Sequence, residues 1–261
     1  MGGRRRCRRM HNGRIELLGT HLDPVTFEGA LQFVDEAVEA RRPVLNASLN
    51  AANVVRLQGD PDLREAIEGC ELITADGVPI VWAARLLGSE VPERVNGTDL
   101  MEAILARAEE RGWRVYLLGS REEVLAGVRA ELGRRHPRLR VVGSRHGYFA
   151  PEEEDDVVAE VAAARPDVLF VALTTPQKEL FQSRHRHALG VPFTMGVGGS
   201  FEVLAGVRKR APRWAQRHGL EWAFRLGQEP RRLFARYLVG NARFTALVLR
   251  ALARSRFEAV R

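Results

Sequence analysis

The chain has 261 residues, 45% apolar and 28% charged, ordinary values for a globular protein long enough to bury a full core. Its net charge of +7 hides a division: residues 11–207 hold 21 basic and 30 acidic residues, whereas residues 208–261 hold 14 against 3, so an anionic partner is expected at one end only. Cys7 and Cys70 exclude a disulfide framework and a cysteine metal site and fit a reducing compartment, and the longest apolar runs, such as Val168–Leu173, fall far short of the roughly 18 residues of a membrane-spanning helix.

Met1–Arg9 holds five arginines with no apolar run behind them, so residues 1–13 read as a disordered basic arm and not as a secretory signal. Arg14–Leu18 reads as a strand, followed by a helix capped by Thr26, with Phe27, Leu31, Val34 and Val38 at helical spacing. Pro43–Leu49 is a strand and Ala51–Leu57 a helix that Asn50 can cap. A further helix opens at Asp60-Pro61, and the short strand Glu71–Thr74 runs into Asp76-Gly77. Pro79–Leu87 and Asp99–Arg111 read as helices, the second stopped by Gly112. Val115–Leu118 is a strand entering Gly119-Ser120, followed by a helix with Val124, Val128 and Leu132 inward.

Leu139–Val142 is the next strand, then helix Glu152–Ala164, strand Val168–Ala172, helix Gln177–His187 and strand Val191–Val197, closing at Gly198-Gly199-Ser200. Short apolar strands alternating with helices specify an α/β class, a doubly wound, mostly parallel sheet flanked by helices, over residues 14–207. Pro212–Gln228 and Pro230–Val248 read as two helices opened by proline, so residues 208–261 form a basic, aromatic helical appendage. Arg232, Arg236 and Arg243 fall on one face of the second helix.

In a parallel sheet, ligands bind beyond the carboxyl ends of the strands. That rule singles out Ser48/Asn50, Asp76-Gly77, Gly119-Ser120 and Thr174–Glu179, four segments that can share one rim, where amides at helix N-termini favour a phosphate. Asp76, directly after a buried strand, is the candidate general base. Neither Gly119-Ser120-Arg121 nor Gly196–Ser200 completes a dinucleotide or nucleoside-triphosphate motif, which weighs against a nicotinamide-dependent oxidoreductase. A nucleic-acid-binding protein could use the basic tail but would leave the rim idle. No histidine cluster suggests a metal, and no cofactor is implied.

Eight segments in order, Asn46–Asn50, Ile73–Pro79, Pro92–Leu100, Tyr116–Ser120, Pro176–Glu179, Gly196–Glu202, Arg210–Trp214 and Gly219–Arg225, resemble the WecG/TagA/CpsF glycosyltransferases from about Ile15 to Phe244. The resemblance implies an inverting, metal-independent bacterial enzyme. It would move a sugar, often N-acetylmannosamine or its uronic acid, from a uridine diphosphate donor to a polyprenyl-diphosphate-linked sugar in surface polysaccharide or teichoic acid synthesis. It implies Asp76 as base, with Ser48, Asn50, Arg94, Gly119, Ser120, Thr174, Gln177, Lys178, Glu179 and Gly198 as substrate contacts. The family's usual Pro-Lys-Gln-Glu order stands here as Pro176-Gln177-Lys178-Glu179, which leaves open whether Gln177 or Lys178 takes the polar contact. It further implies that the appendage docks on an anionic membrane, at the inner face of the cell membrane, and closes over the site, bringing Arg225, Arg232 or Arg236 to a diphosphate. Homo-oligomerisation would cover the appendage's apolar face away from the membrane; nucleic acid is not an expected partner.

Overall fold

The computed structural model describes residues 13–217, 220–228 and 230–258. The basic arm therefore lies, but for Gly13, outside the described residues.

The first element is an antiparallel hairpin of β1 (Ile15–Leu17) and β2 (Thr20–Leu22), turned by Leu18 and Gly19, both at positive φ. The sequence reading took this region as one strand, because a second strand of three residues has no periodicity to show. Leu17 and Leu22 are buried, and so is Asp23, which accepts from Arg14 Nε at 3.0 Å and from the Ile73 amide at 2.7 Å. This paired and hydrogen-bonded carboxylate pins the hairpin beside the edge of the main sheet.

That sheet has six parallel strands in the order β4-β3-β8-β7-β5-β6. They are β3 (Val44–Leu49), β4 (Leu72–Ala75), β5 (Arg114–Gly119), β6 (Arg140–Arg145), β7 (Val168–Ala172) and β8 (Phe193–Gly196). Strand periodicity divides their side chains between two layers. Val44, Leu72, Val115, Leu117, Val168, Phe170, Phe193 and Met195 face one core, shared with α1 (Phe27–Ala40), α5 (Gly97–Arg111) and α6 (Glu122–Arg135). Leu45, Ala47, Leu49 and Ile73 face the opposite layer, against α2 (Ala51–Leu57), α3 (Pro61–Glu68) and α4 (Val78–Leu86). Tyr116, Leu118, Leu169 and Val171 continue that layer against α7 (Glu154–Ala164) and α8 (Gln177–Leu189). With both faces covered, the strands read as near-continuous apolar runs, which is why the α/β class was visible in the sequence.

After β8 come a one-turn helix α9 (Ser200–Leu204), which the sequence reading did not separate, and then α10 (Arg213–Arg217), α11 (Glu221–Gln228) and α12 (Pro230–Glu258). Pro212–Gln228 is thus two short helices rather than one, and the last helix runs ten residues beyond Val248. Its second half is no detached arm: α12 packs on α2, and Phe244 and Val248 are buried in the same cluster as Leu49 and Val54. Among the described residues, no helix is long and apolar enough to cross a membrane.

At the end of β5 the chain must pass β7 closely. Gly119 has φ +114°, and a Cβ there would stand 2.5 Å from the Ala172 carbonyl carbon, a distance at which backbone has to move. Gly119→Ala should therefore lower stability by roughly 3 kcal/mol, combining strain with overpacking, read as a fall in the urea midpoint. An unchanged midpoint would show that this edge is looser than the backbone implies.

Candidate active site

Because both faces are apolar, polar side chains gather at the carboxyl edge of the sheet. A cleft of about 1330 Å³ opens there. Its walls come from the ends of β3, β4, β7 and β8 and from α2 and α12, and its lining includes Ser48, Asn50, Asp76, Thr174, Lys178 and Gly198. Six residues singled out from the sequence thus meet in one cavity.

Asp76 follows β4 immediately. Its amide donates to the Leu49 carbonyl at 2.8 Å, extending the β3–β4 ladder by one bond. Beside it the segment before α5 runs back along β4, with the Val95 amide on the Ala75 carbonyl at 3.0 Å. Asn96 Nδ2 then donates to Asp76 Oδ1 at 3.0 Å. Asn96, and not Thr98, caps α5, and the helix starts two residues earlier than its apolar periodicity suggests. Gly97 completes the corner: a Cβ there would lie 3.2 Å from Ser48 Oγ and 3.6 Å from Asp76 Oδ2. Ser48 Oγ accepts from Thr74 Oγ1 at 3.4 Å. Asn50 caps α2 as its position predicts, accepting from the Asn53 amide at 3.0 Å.

Across the cleft, Thr174 Oγ1 donates to Gln177 Oε1 at 2.7 Å and Thr175 Oγ1 to Glu179 Oε1 at 3.1 Å. Lys178 lines the cleft while Gln177 does not. The lysine crosses Gly196, where a Cβ would come within 3.1 Å of its Cδ, and its ammonium binds Thr175 Oγ1 at 2.9 Å and the Glu179 carboxylate. Glu179 is buried and sits behind the lysine rather than in the cavity.

Gly119 and Ser120 stand at the same edge but outside the cavity lining. Ser120 Oγ donates to Glu202 Oε1 at 3.4 Å, and Glu202, which does line the cleft, has its other oxygen buried with no hydrogen-bond partner among the described residues. Arg94 also lies off the cleft and pairs with Glu221 of α11 at 2.9 Å, both side chains about one-fifth exposed. The side chains of Arg225, Arg232 and Arg236 lie outside the described residues.

Among the described residues, the cations that line the cleft are Arg56, Lys178, Arg208, Arg243 and Arg250. Of these, the sequence reading had named only Lys178 as a contact and had placed Arg243 on the basic face of the last helix. On α12 the cleft-lining positions are 239, 240, 243, 246, 247 and 250, a helical stripe next to the buried Phe244 and Val248. A stripe of that period was available in the sequence; what faced it was not. Arg56 is fixed by a bond from Nη1 to the Thr175 carbonyl at 2.9 Å. Burial pushes the Cys70 thiol up to about 12, so it offers no nucleophile at neutral pH. Among the described residues, no three His, Cys, Asp or Glu side chains are grouped to hold a metal ion.

A cleft at the carboxyl edge of a parallel sheet, with one carboxylate fixed at a strand end and cations on the facing walls, suits a group transfer that needs a base and a stabilised anionic leaving group. Residues 15–258 match the model of the glycosyl transferase WecG/TagA/CpsF family, and the chain belongs to that family. Its reaction class is glycosyl transfer, between a sugar donor and an acceptor, which sets aside the oxidoreductase and nucleic-acid readings.

The Arg94–Glu221 pair ties the body to the C-terminal helices. Reversing either charge alone should destabilise the protein, and Arg94→Glu combined with Glu221→Arg should recover about 1 kcal/mol of coupling in a double-mutant cycle of unfolding. Strict additivity would mean that the pair holds nothing.

Proposed function

We propose that the protein transfers a sugar of the N-acetylmannosamine type from a uridine diphosphate donor to a polyprenyl-diphosphate-linked sugar, with inversion and without a metal ion, in the synthesis of a surface polysaccharide or teichoic acid. The observation that carries this reading is the placement of Asp76 in a cleft whose other walls supply, among the described residues, five cationic side chains. The Asp76 carboxylate takes the proton of the acceptor hydroxyl as that oxygen forms its bond to the anomeric carbon. The bond from that carbon to the phosphate oxygen breaks, and its electron pair leaves with uridine diphosphate. Attack opposite the leaving group inverts the configuration.

The departing diphosphate gains charge as the bond breaks, and cations on the cleft walls stabilise it. Arg208, Arg243 and Arg250 are suited to this by planar, multi-donor heads. Lys178, and not Gln177, takes the polar contact in this chain, since it is the one that reaches the cavity. Ser48 and Asn50 bind sugar hydroxyls next to Asp76, and the Gly198 turn lets the donor approach the backbone.

Release of uridine diphosphate, followed over a panel of uridine diphosphate sugars with a short-chain lipid diphosphate acceptor, tests the reading directly. Asp76→Asn preserves shape and removes the base, so turnover should fall about 100-fold, and a chelator should leave the wild-type rate unchanged. Near-normal turnover by the variant would remove Asp76 from the mechanism, and rescue of a chelated enzyme by magnesium would remove metal independence.

The acceptor is lipid-linked, so the protein has to reach a membrane. Trp214 and Trp222 are 61% and 40% exposed on α10 and α11, and Leu238 on α12 is 61% exposed, within the region that carries 14 basic residues against 3 acidic. Exposed indole and leucine side chains among arginines fit an anionic bilayer surface, where each cation contributes on the order of 1 kcal/mol. Without a membrane, a second copy would cover the same apolar surface. Co-sedimentation with vesicles containing anionic lipid should exceed that with neutral vesicles, decline with salt, and drop at least about 5-fold in Trp214→Ala/Trp222→Ala. Equal binding to both vesicle types would rule out this docking mode.

A further inference from the structure

We propose that Asn96 is the positioning residue for Asp76: a helix cap whose second function is to hold the base correctly turned. This rests on the reading of Asp76 as the base. The amide of Asn96 cannot be exchanged end for end. Its Oδ1 faces two donors, the amides of Thr98 at 3.0 Å and Asp99 at 3.2 Å, and satisfies two N–H groups that α5 would otherwise leave open. Its Nδ2 therefore points the other way, onto Asp76 Oδ1 at 3.0 Å.

Both partners are anchored from behind. The Val95 amide on the Ala75 carbonyl and the Leu100 amide on the Asn96 carbonyl hold the cap, and the Asp76 amide on the Leu49 carbonyl holds the acid. With Oδ1 engaged by the cap, Oδ2 is turned to the corner made by Gly97 and Ser48, where a Cβ on residue 97 would lie 3.6 Å from it. The Asn96 donor fixes the rotation of the carboxylate about its side chain, which keeps the second oxygen directed to that corner. The first turn of α5, through its two N–H groups, fixes the amide that does this, so the helix terminus and the base form one unit.

The discriminating variant is Asn96→Asp. Aspartate caps a helix as well as asparagine does, so α5 keeps its terminus, but the donor to Asp76 becomes a second carboxylate. Two carboxylates at that separation do not both ionise readily, so the acid limb of kcat/KM should move up by about one pH unit or more. At neutral pH kcat should fall at least about 10-fold, with KM for the donor little changed. Asp60, Glu202 and the cleft cations Arg56, Lys178, Arg208, Arg243 and Arg250 are the same in both proteins, so the difference between the profiles reports residue 96. Unfolding midpoints within a few degrees of wild type confirm that the cap survives.

Asn96→Ser provides the second arm. Serine also caps but is too short to reach Asp76, so kcat should fall roughly 10-fold with KM unchanged. It decides the matter if the aspartate variant does not fold. A pH profile and kcat within threefold of wild type in the folded variants would overturn the proposal. If Asp76→Asn is inactive while both Asn96 variants behave as wild type, the base stands and only its positioning by Asn96 falls. If Asp76→Asn retains turnover, the base reading itself has failed.

Discussion

A sheet buried on both faces leaves polar chemistry only at its ends. Every strand of this sheet runs the same way, so all six carboxyl ends lie along one edge, and the apolar side chains of the five strands other than the edge strand β6 pack into the two layers. Segments far apart in the chain, at residues 48–50, 76, 96–98, 174–178 and 196–202, therefore meet without any of them being adjacent in sequence. The edge also solves a satisfaction problem. Backbone groups without a ladder partner need other ones, and Asn50 and Asn96 accept from helix N-terminal amides there, while the hydroxyls of Thr98 and Ser200 bond each other at 2.8 Å.

Much of this was legible in the residues. Pro43–Leu49, Val115–Leu118 and Val168–Ala172 are segments too short for helices, the last two wholly apolar, and each falls on a strand. The rule that ligands gather at carboxyl ends then placed Ser48, Asp76 and Lys178 without any coordinates. What escaped was set by contacts across the fold. Asn96 sat in a turn-like stretch, and nothing local distinguishes a cap that serves only its helix from one that also holds a carboxylate. Glu202 and Arg208 reach the cleft because α9 is one turn long and the chain doubles back, with the Arg208 amide on the Glu202 carbonyl at 2.9 Å. Arg94 illustrates the opposite case: its residue type suits an anion, and the fold gives it a carboxylate of the protein's own.

The charge asymmetry of the sequence acquires a physical meaning from this layout. An acidic body alone would repel a diphosphate. Arg56 and Lys178 come from the body, each restrained by neighbours, while Arg243 and Arg250 come from the basic tail and Arg208 from its first residue. The positive potential in the cleft is thus assembled from both halves and focused by low-dielectric walls. Lys178 makes this concrete, because its counter-ion Glu179 is buried behind it. The pair is neutral as a unit, and an anion in the cleft meets a lysine already held in place, with less side-chain entropy left to lose.

The last helix couples fold to function most tightly. Phe244 and Val248 enter the core cluster of β3 and α2, while Arg243, Leu247 and Arg250 on the adjoining stripe line the cleft. A helix is rigid over two turns, so these arginines cannot be presented without burying those apolar side chains, and the burial cannot loosen without withdrawing the arginines. The first half of the same helix carries the exposed apolar residues Leu238 and Val239. Any surface that engages its first half therefore acts on an element whose second half is anchored beside Asn50 and Asp76. A force that tilts the exposed end is transmitted through packed side chains to the wall that faces the base.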